Sequence, residues 1–112
     1  MATVEQSAAA MHRLADRMKG MDANAKAKTM LDRSVTCHLR DIGVTFGARL
    51  RDGTLQDIRQ VDATDGQIRL TMTSDELVEM VDGRLSFAKA WASGRVKVHA
   101  SVFDLLKLRA LL

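Results

Sequence analysis

Residues 72–100, MTSDELVEMVDGRLSFAKAWASGRVKVHA, carry the pattern that decides the fold. A strand ends near Met72. Thr73 or Ser74 caps a helix over 75–82, with Asp75 and Glu76 in its first turn, where the helix dipole favours negative charge. Gly83 stops it. Ser86 caps a second short helix over 87–92, in which Phe87 and Trp91 form an i,i+4 pair. Gly94 stops that one. The chain then alternates Val96, Val98 and Ala100 with Arg95, Lys97 and His99, the period of a half-buried strand over 95–100. An apolar helical layer (Leu77, Met80, Val81, Leu85, Phe87, Trp91) is thus sent out from one strand and returned to another.

Upstream, Thr3 and Gln6 form a capping-box pattern that opens a helix over 4–19. Val4, Ala8, Met11, Leu14, Ala15 and Met18 recur on one side of it, and Gly20 is the stop. Asp22 can cap a shorter, Ala-rich helix over 23–32. From Val35 the period changes to two, giving strands over 35–40, 44–50, 55–61 and 67–73. Asp52-Gly53 is a hairpin-turn signal. In the third strand Ile58 and Val61 fall out of phase, which marks an edge or bulged strand. Asp65-Gly66 follows closely, and hairpin rules alone would lay the fourth strand beside the third. Most strands have one apolar and one polar face, so helices must cover the dry face of a mostly antiparallel five-stranded sheet wetted on the other side. The expected fold class is two-layer α+β, in one domain spanning 1–112. Ser101 caps a last helix over 102–112 that is apolar nearly all round. It has more apolar surface than one contact buries, so it meets a second subunit, a membrane surface or a ligand-filled space, or lies deep between layers of its own domain.

Composition narrows the function. A net charge of +3 is spread along the chain and mixed with Asp and Glu, and aromatics are 4%, so no concentrated basic or stacking face points to nucleic acid. There is no run of about 20 apolar residues to span a membrane and no signal-peptide pattern. The single cysteine, Cys37, excludes an internal disulfide framework, and the expected compartment is the reducing cytoplasm. His12, His38 and His99 have no metal-ligand spacing, with His38 and His99 on the polar phase. Cys37 lies on the apolar phase as a core residue, and no glycine-rich phosphate loop occurs. No catalytic, metal or cofactor site is expected, and the chain is not expected to be an enzyme. Seven methionines, most at apolar positions, suit an adaptable apolar space.

The ordered series from Leu70 to the C-terminus resembles the C-terminal half of the sterol carrier protein 2 (SCP-2) sterol-transfer family. It comprises an acid-rich capped helix, Asp82-Gly83-Arg84-Leu85, an aromatic helix, Ser93-Gly94-Arg95-Val96-Lys97-Val98 and a Leu-rich last helix. Residues 70–112 match in order and spacing, whereas the part before Gln67 matches only in pattern. The resemblance implies a five-stranded sheet covered by helices on one face, with strand 4 crossing over to lie beside strand 1. It implies a hydrophobic tunnel between the layers and non-catalytic binding or transport of a sterol, fatty acid, acyl-CoA or phospholipid. This chain departs from the family in having Ser86-Phe87 where Asn-Pro is common. It ends Ala-Leu-Leu rather than in a Ser-Lys-Leu-type signal, which fits a bacterial cytoplasmic member.

Strand and helix phase then places the tunnel wall. The sheet contributes Phe46, Ala48, Leu70 and Met72, and the helical layer Leu77, Met80, Val81, Leu85, Phe87 and Trp91. The last helix contributes Leu105 and Leu108. A rigid empty void of about 300 Å³, at ~24 cal/mol per Å³, would cost several kcal/mol. That is a large part of the ~5–15 kcal/mol that holds such a domain together. The space is therefore expected to hold a lipid or to be much reduced by collapsed side chains. Transient membrane contact and a homodimer through the last helix are further expectations. The rival reading is a structural or dimerisation module of the same fold with a vestigial cavity.

Overall fold

Asp52 and Gly53 both take positive φ, 56° and 74°, the left-handed pair that a tight two-residue hairpin needs. They join β2 (Val44–Arg51) to β3 (Thr54–Val61), while β1 (Arg33–Leu39) pairs antiparallel with β2 on its other side. The computed structural model describes residues 1–19 and 32–110, except the side chains of Lys19 and 107–110. The helix expected over 23–32 lies, but for Asp32, outside the described residues. The other elements are α1 (Val4–Lys19), β4 (Ile68–Met72), α2 (Ser74–Val81), α3 (Phe87–Ala92), β5 (Lys97–His99) and α4 (Val102–Ala110).

The sheet order is β3-β2-β1-β4-β5. Only the β1–β4 pair is parallel. The α+β class is confirmed, as a mixed sheet. The edge strand β3 carries a bulge. Gly47 pairs with Arg59 and Arg49 with Gln56, so Asp57 and Ile58 together face Ala48. Asp57 takes φ 56° to make the extra residue fit, which puts the apolar residues of this strand out of phase.

The crossover that the resemblance implies, with β4 beside β1, is borne out, and Asp65-Gly66 is not the turn that the dipeptide suggested. Gly66 has no positive φ and is not a turn residue. It is a close-approach residue: a Cβ there would stand 2.7 Å from Thr36 N and 2.9 Å from the Ile68 carbonyl oxygen. β3 ends level with the C-terminal half of β1, and β4 starts level with its N-terminal half. Residues 62–67 must therefore run back across the sheet. Their far end is stitched to β1 through side chains. Gly66 N–H donates to Thr36 Oγ1 (3.3 Å), Gln67 N–H to Ser34 Oγ (3.0 Å), and Ser34 N–H to Gln67 Oε1 (3.1 Å).

Thr36 lies on the polar face, so the crossover passes over that face. This changes the expected wet side. Thr36, Thr45 and Gly47 are buried. His38 is half-buried with Nδ1 2.9 Å from Thr45 Oγ1, while His99 is exposed. A polar strand phase was read as solvated, but here short hydroxyls serve as hydrogen-bond partners beneath a connection.

On the dry face, α1 packs on β3 and on α2. Its start is the reciprocal cap expected from sequence: Gln6 N–H donates to Thr3 Oγ1 (3.0 Å), and Thr3 N–H to Gln6 Oε1 (2.8 Å). Arg17 donates to the carbonyls of Met80 (3.2 Å) and Val81 (2.7 Å), closing the C-terminal end of α2. The core joins Ala10, Met11 and Ala15 of α1 to Val35, Cys37, Leu39, Phe46, Leu50, Ile68, Met72 and Leu77. Burial pushes the Cys37 thiol up to about 12, so it is a neutral core group.

Two outcomes follow. Gly66→Ala drives a Cβ into backbone, and urea unfolding should show a loss of about 3 kcal/mol. Gly47→Ala meets only the Val61 side chain at 3.0 Å and should cost about 1 kcal/mol. Equal costs for the two would remove the close-approach account. Cys37 should react with a thiol-disulfide reagent only through opening of the structure, slowly in buffer and fast in urea.

Candidate functional site

One row of residues crosses the dry face through Phe46, Cys37, Leu70 and Val98, paired in register from β2 to β5. Burial falls along that row. Phe46 and Cys37 are 3% and 1% exposed, whereas Leu70 and Val98 are only half-buried. Ile68 and Met72, two residues either side of Leu70, are fully buried. Among the described residues the cover of the sheet is thus incomplete on the β4–β5 side. The segment joining these two strands is the helical layer itself, α2 and α3. Its Met80, Leu85, Phe87 and Trp91 are half-buried as well. Met80, Leu85 and Phe87 pack on the same core cluster as Leu70, Val98 and Ala100. Phe87 and Trp91 meet edge to face, with centroids 6.0 Å apart.

The twelve wall residues expected from sequence divide accordingly. Phe46, Ala48, Met72, Leu77 and Val81 are buried in the core. Leu70, Met80, Leu85, Phe87, Trp91 and Leu105 are half-buried. The side chain of Leu108 lies outside the described residues. Val98 and Ala100 share this half-buried apolar surface and were not among the twelve, although the phase of their strand could have found them. A cleft of about 420 Å³ opens elsewhere, between α1 and α2, lined by Met1, Ala2, Gln6, Ala9, Arg13, Asp75, Val78 and Asp82. None of the twelve lines it. It is open to solvent and crossed by an Arg13–Asp82 ion pair (2.6 Å), so it does not suit an apolar ligand.

The helical layer is held at its root by Glu76, which is 6% exposed. The Thr73 N–H and hydroxyl donate to its Oε1 at 2.8 and 3.0 Å, and Arg95 Nε donates to Oε2 at 3.1 Å. Arg40 stands 3.7 Å from Oε1. The capping box is completed by Glu76 N–H donating to Thr73 Oγ1. One carboxylate therefore ties the N-terminus of α2 to the loop entering β5 and to the end of β1. Burial alone would raise its pKa. The bonds from Thr73 and Arg95 and the charge of Arg40 outweigh that, and the carboxyl ends below its ordinary value. Next to it, Asp41 accepts Ser74 N–H (2.8 Å) and Ser74 Oγ–H (2.6 Å). Its pKa is likewise lowered, because the Ser74 and backbone hydrogen bonds outweigh desolvation. The sequence offered Thr73 or Ser74 as the cap with Glu76 in the first turn, but nothing local signalled that Arg95 and Arg40 converge on Glu76.

Among the described residues no cluster of three or more His, Cys, Asp or Glu could hold a metal ion, and no helix is long and apolar enough to cross a membrane. A carboxyl with a depressed pKa stabilises the fold above its unfolded value, near 4.3 for Glu, and that contribution is lost as pH falls through the folded value. Glu76→Gln should therefore lower stability by about 1–2 kcal/mol at neutral pH. In thermal unfolding followed against pH, the gap from the unmodified protein should narrow below pH ~4. A gap independent of pH would assign the effect to packing instead.

Comparisons with known proteins agree with this fold. Among solved structures, the palmitated SCP2L2 of Aedes aegypti aligns with a TM-score of 0.65 at 14% identity, over 97% of this chain and 92% of that one. The ubiquinone synthesis protein UbiJ-SCP2 aligns with a TM-score of 0.64 at 13% identity, over 94% and 90%. The sec-alkylsulfatase Pisa1 of Pseudomonas sp. aligns with a TM-score of 0.59 at 21% identity, over 88% of this chain but 15% of the longer one. This chain thus spans a small part of that enzyme. At these identities the likeness is one of fold. A comparison with curated proteins finds no match. The model of the SCP-2 sterol transfer family matches residues 11–112, and the chain belongs to that family.

Proposed function

We propose that this protein binds, without catalysis, a lipid-like apolar ligand between the sheet and the helical layer, and carries it. The supporting observation is the localised gap in apolar cover around Leu70 and Val98. Half-buried Met80, Leu85, Phe87, Trp91 and Leu105 supply the other apolar surface, and α2 and α3 are the movable roof. Phe46, Ala48, Met72, Leu77 and Val81 form the closed floor and frame, and Leu108 extends the wall along α4. Entry needs the roof to shift; the roof is tied at its Glu76 end, while at its other end α3 is held by the buried Ala90 beside half-buried Phe87 and Trp91. An apolar wall with no converging charge fits an acyl chain or a sterol nucleus better than a polar metabolite. Membership of a sterol transfer family supports the same class. The reducing cytoplasm remains the proposed compartment.

A second reading has its own support. The fold occurs as a small part of the longer alkylsulfatase chain, so it also serves in a larger setting. In that reading the domain is an assembly module, and the gap is a remnant that side chains fill.

Trp91 is the only tryptophan and there is no tyrosine, so energy transfer from Trp91 to a polyene fatty acid reports binding at the wall. Binding should saturate at one ligand per chain and reverse with added oleate or sterol. Leu70→Glu and Leu85→Glu, which set an unpaired carboxylate on the wall, should weaken it at least about tenfold, with circular dichroism confirming that both variants fold. Organic extraction and native mass spectrometry of the purified protein should show a bound lipid or a ligand-free chain with the gap closed. No saturable binding, together with a stable dimer in light scattering, would favour the assembly module.

A further inference from the structure

β3 is the long edge of the sheet, eight residues from Thr54 to Val61 with β2 on one side only among the described residues. A long, regular edge offers a row of free N–H and C=O groups to a strand of another chain. The opposite edge is short: β5 has three residues, and it exposes Lys97 and His99. β3 is not short, but it carries the bulge. Gln56 and Arg59 pair with Arg49 and Gly47, and between them Ala48 faces both Asp57 and Ile58. Ile58 alone would fill that place, since it is half-buried and packs on the core. Without Asp57 every other residue of β3 would keep its face. Asp57 itself is exposed, and among the described residues its carboxylate has no hydrogen bond or ion pair. It nevertheless holds φ 56°, in the region that glycine enters freely and other residues enter at a cost. Its carbonyl oxygen accepts from Arg59 Nη1 at 2.9 Å.

We propose that the Asp57 bulge is an edge guard: it keeps β3 from pairing with β3 of a second copy of this chain. A strained residue that adds nothing to packing or phase persists where its geometry has a use. Here the bulge breaks the straight row of edge groups in the middle of the strand and raises the local twist. An incoming strand can then match one half of β3 and not the other. The Arg59 guanidinium also occupies the Asp57 carbonyl, an acceptor that such a strand would need. Repulsion cannot be the guard. Two antiparallel copies of β3 centred on Ile58 would set each exposed Asp57 opposite an exposed Arg59, and opposite charges placed so attract. The backbone has to prevent the pairing.

The test is deletion of Asp57 from the full chain. The variant should keep the circular dichroism and Trp91 emission of the unmodified protein. In sedimentation across roughly 10 µM to 1 mM it should self-associate at least about tenfold more tightly than the unmodified protein. Hydrogen exchange should show the new protection confined to the amides of residues 54–61. Asp57→Gly and Asp57→Asn accept the positive φ and keep the bulge, so they should self-associate no more than the unmodified protein. A folded deletion variant with no added association, or one whose new protection lies outside β3, would overturn the proposal. So would an Asp57→Gly variant that associates as strongly as the deletion, because the charge would then be the guard. A deletion variant that fails to fold would overturn it too, since the extra residue would then serve the fold itself. None of these measurements involves a lipid, so they stand apart from the carrier reading.

Discussion

The close approach of Gly66 to β1 is the contact on which the arrangement of this protein depends. A six-residue connection has to leave β3 at one edge, pass over two strands and start β4 on the other side of β1. It can do so only if its backbone lies against the sheet, and at Gly66 no room remains for a Cβ. Thr36 and Ser34 offer their hydroxyls as partners, so the buried polar atoms of the crossing are satisfied. Among the described residues no buried side-chain nitrogen or oxygen lacks a hydrogen-bond partner. The crossing fixes β4 as the parallel neighbour of β1 and leaves β5 to close the other edge.

That placement creates the candidate site. β4 and β5 are joined through α2 and α3, so the helical layer is rooted in the two strands it has to cover. α1 seals the β2–β3 side of the dry face and braces α2 through Arg17 and Arg13. Glu76 holds the root of α2 with a charge whose partners come from three separate parts of the chain. Among the described residues the far end of the layer has no such charged tie; there α3 is held by the buried Ala90, whose carbonyl accepts Val96 N–H at 3.1 Å. Leu85, Phe87 and Trp91 stay half-buried over Leu70 and Val98.

Much of the fold was legible because its signals are local. Caps at Thr3, Thr73, Ser86 and Ser101 and the Asp52-Gly53 turn depend on a few neighbouring residues. So does the change of period at Val35. The out-of-phase Ile58 marked the bulge, since one extra residue shifts the face of every residue after it. Asp65-Gly66 misled for the same reason that Asp52-Gly53 did not: a dipeptide states that glycine is needed without saying whether for its φ or for its missing Cβ. The polar phase of Thr36 and Thr45 misled likewise, because a short hydroxyl suits water and a buried backbone partner equally well. In the candidate site, phase found the apolar wall but not its division into sealed core and half-covered surface. That division depends on what lies above each residue, which phase does not record.

By itself the sequence determined the element types, the dry face of each strand, the α+β class and, through the ordered pattern of residues 70–112, the family. Each follows from interactions between residues a few positions apart, or from the requirement that apolar faces meet. Only the tertiary structure decided that Gly66 packs on β1, that Arg95 and Arg40 converge on Glu76, that the cover of the sheet fails at Leu70 and Val98, and that α4 keeps Val102, Phe103 and Leu106 exposed. Each of these joins groups tens of residues apart, and its energy depends on distances that no local pattern of residues encodes.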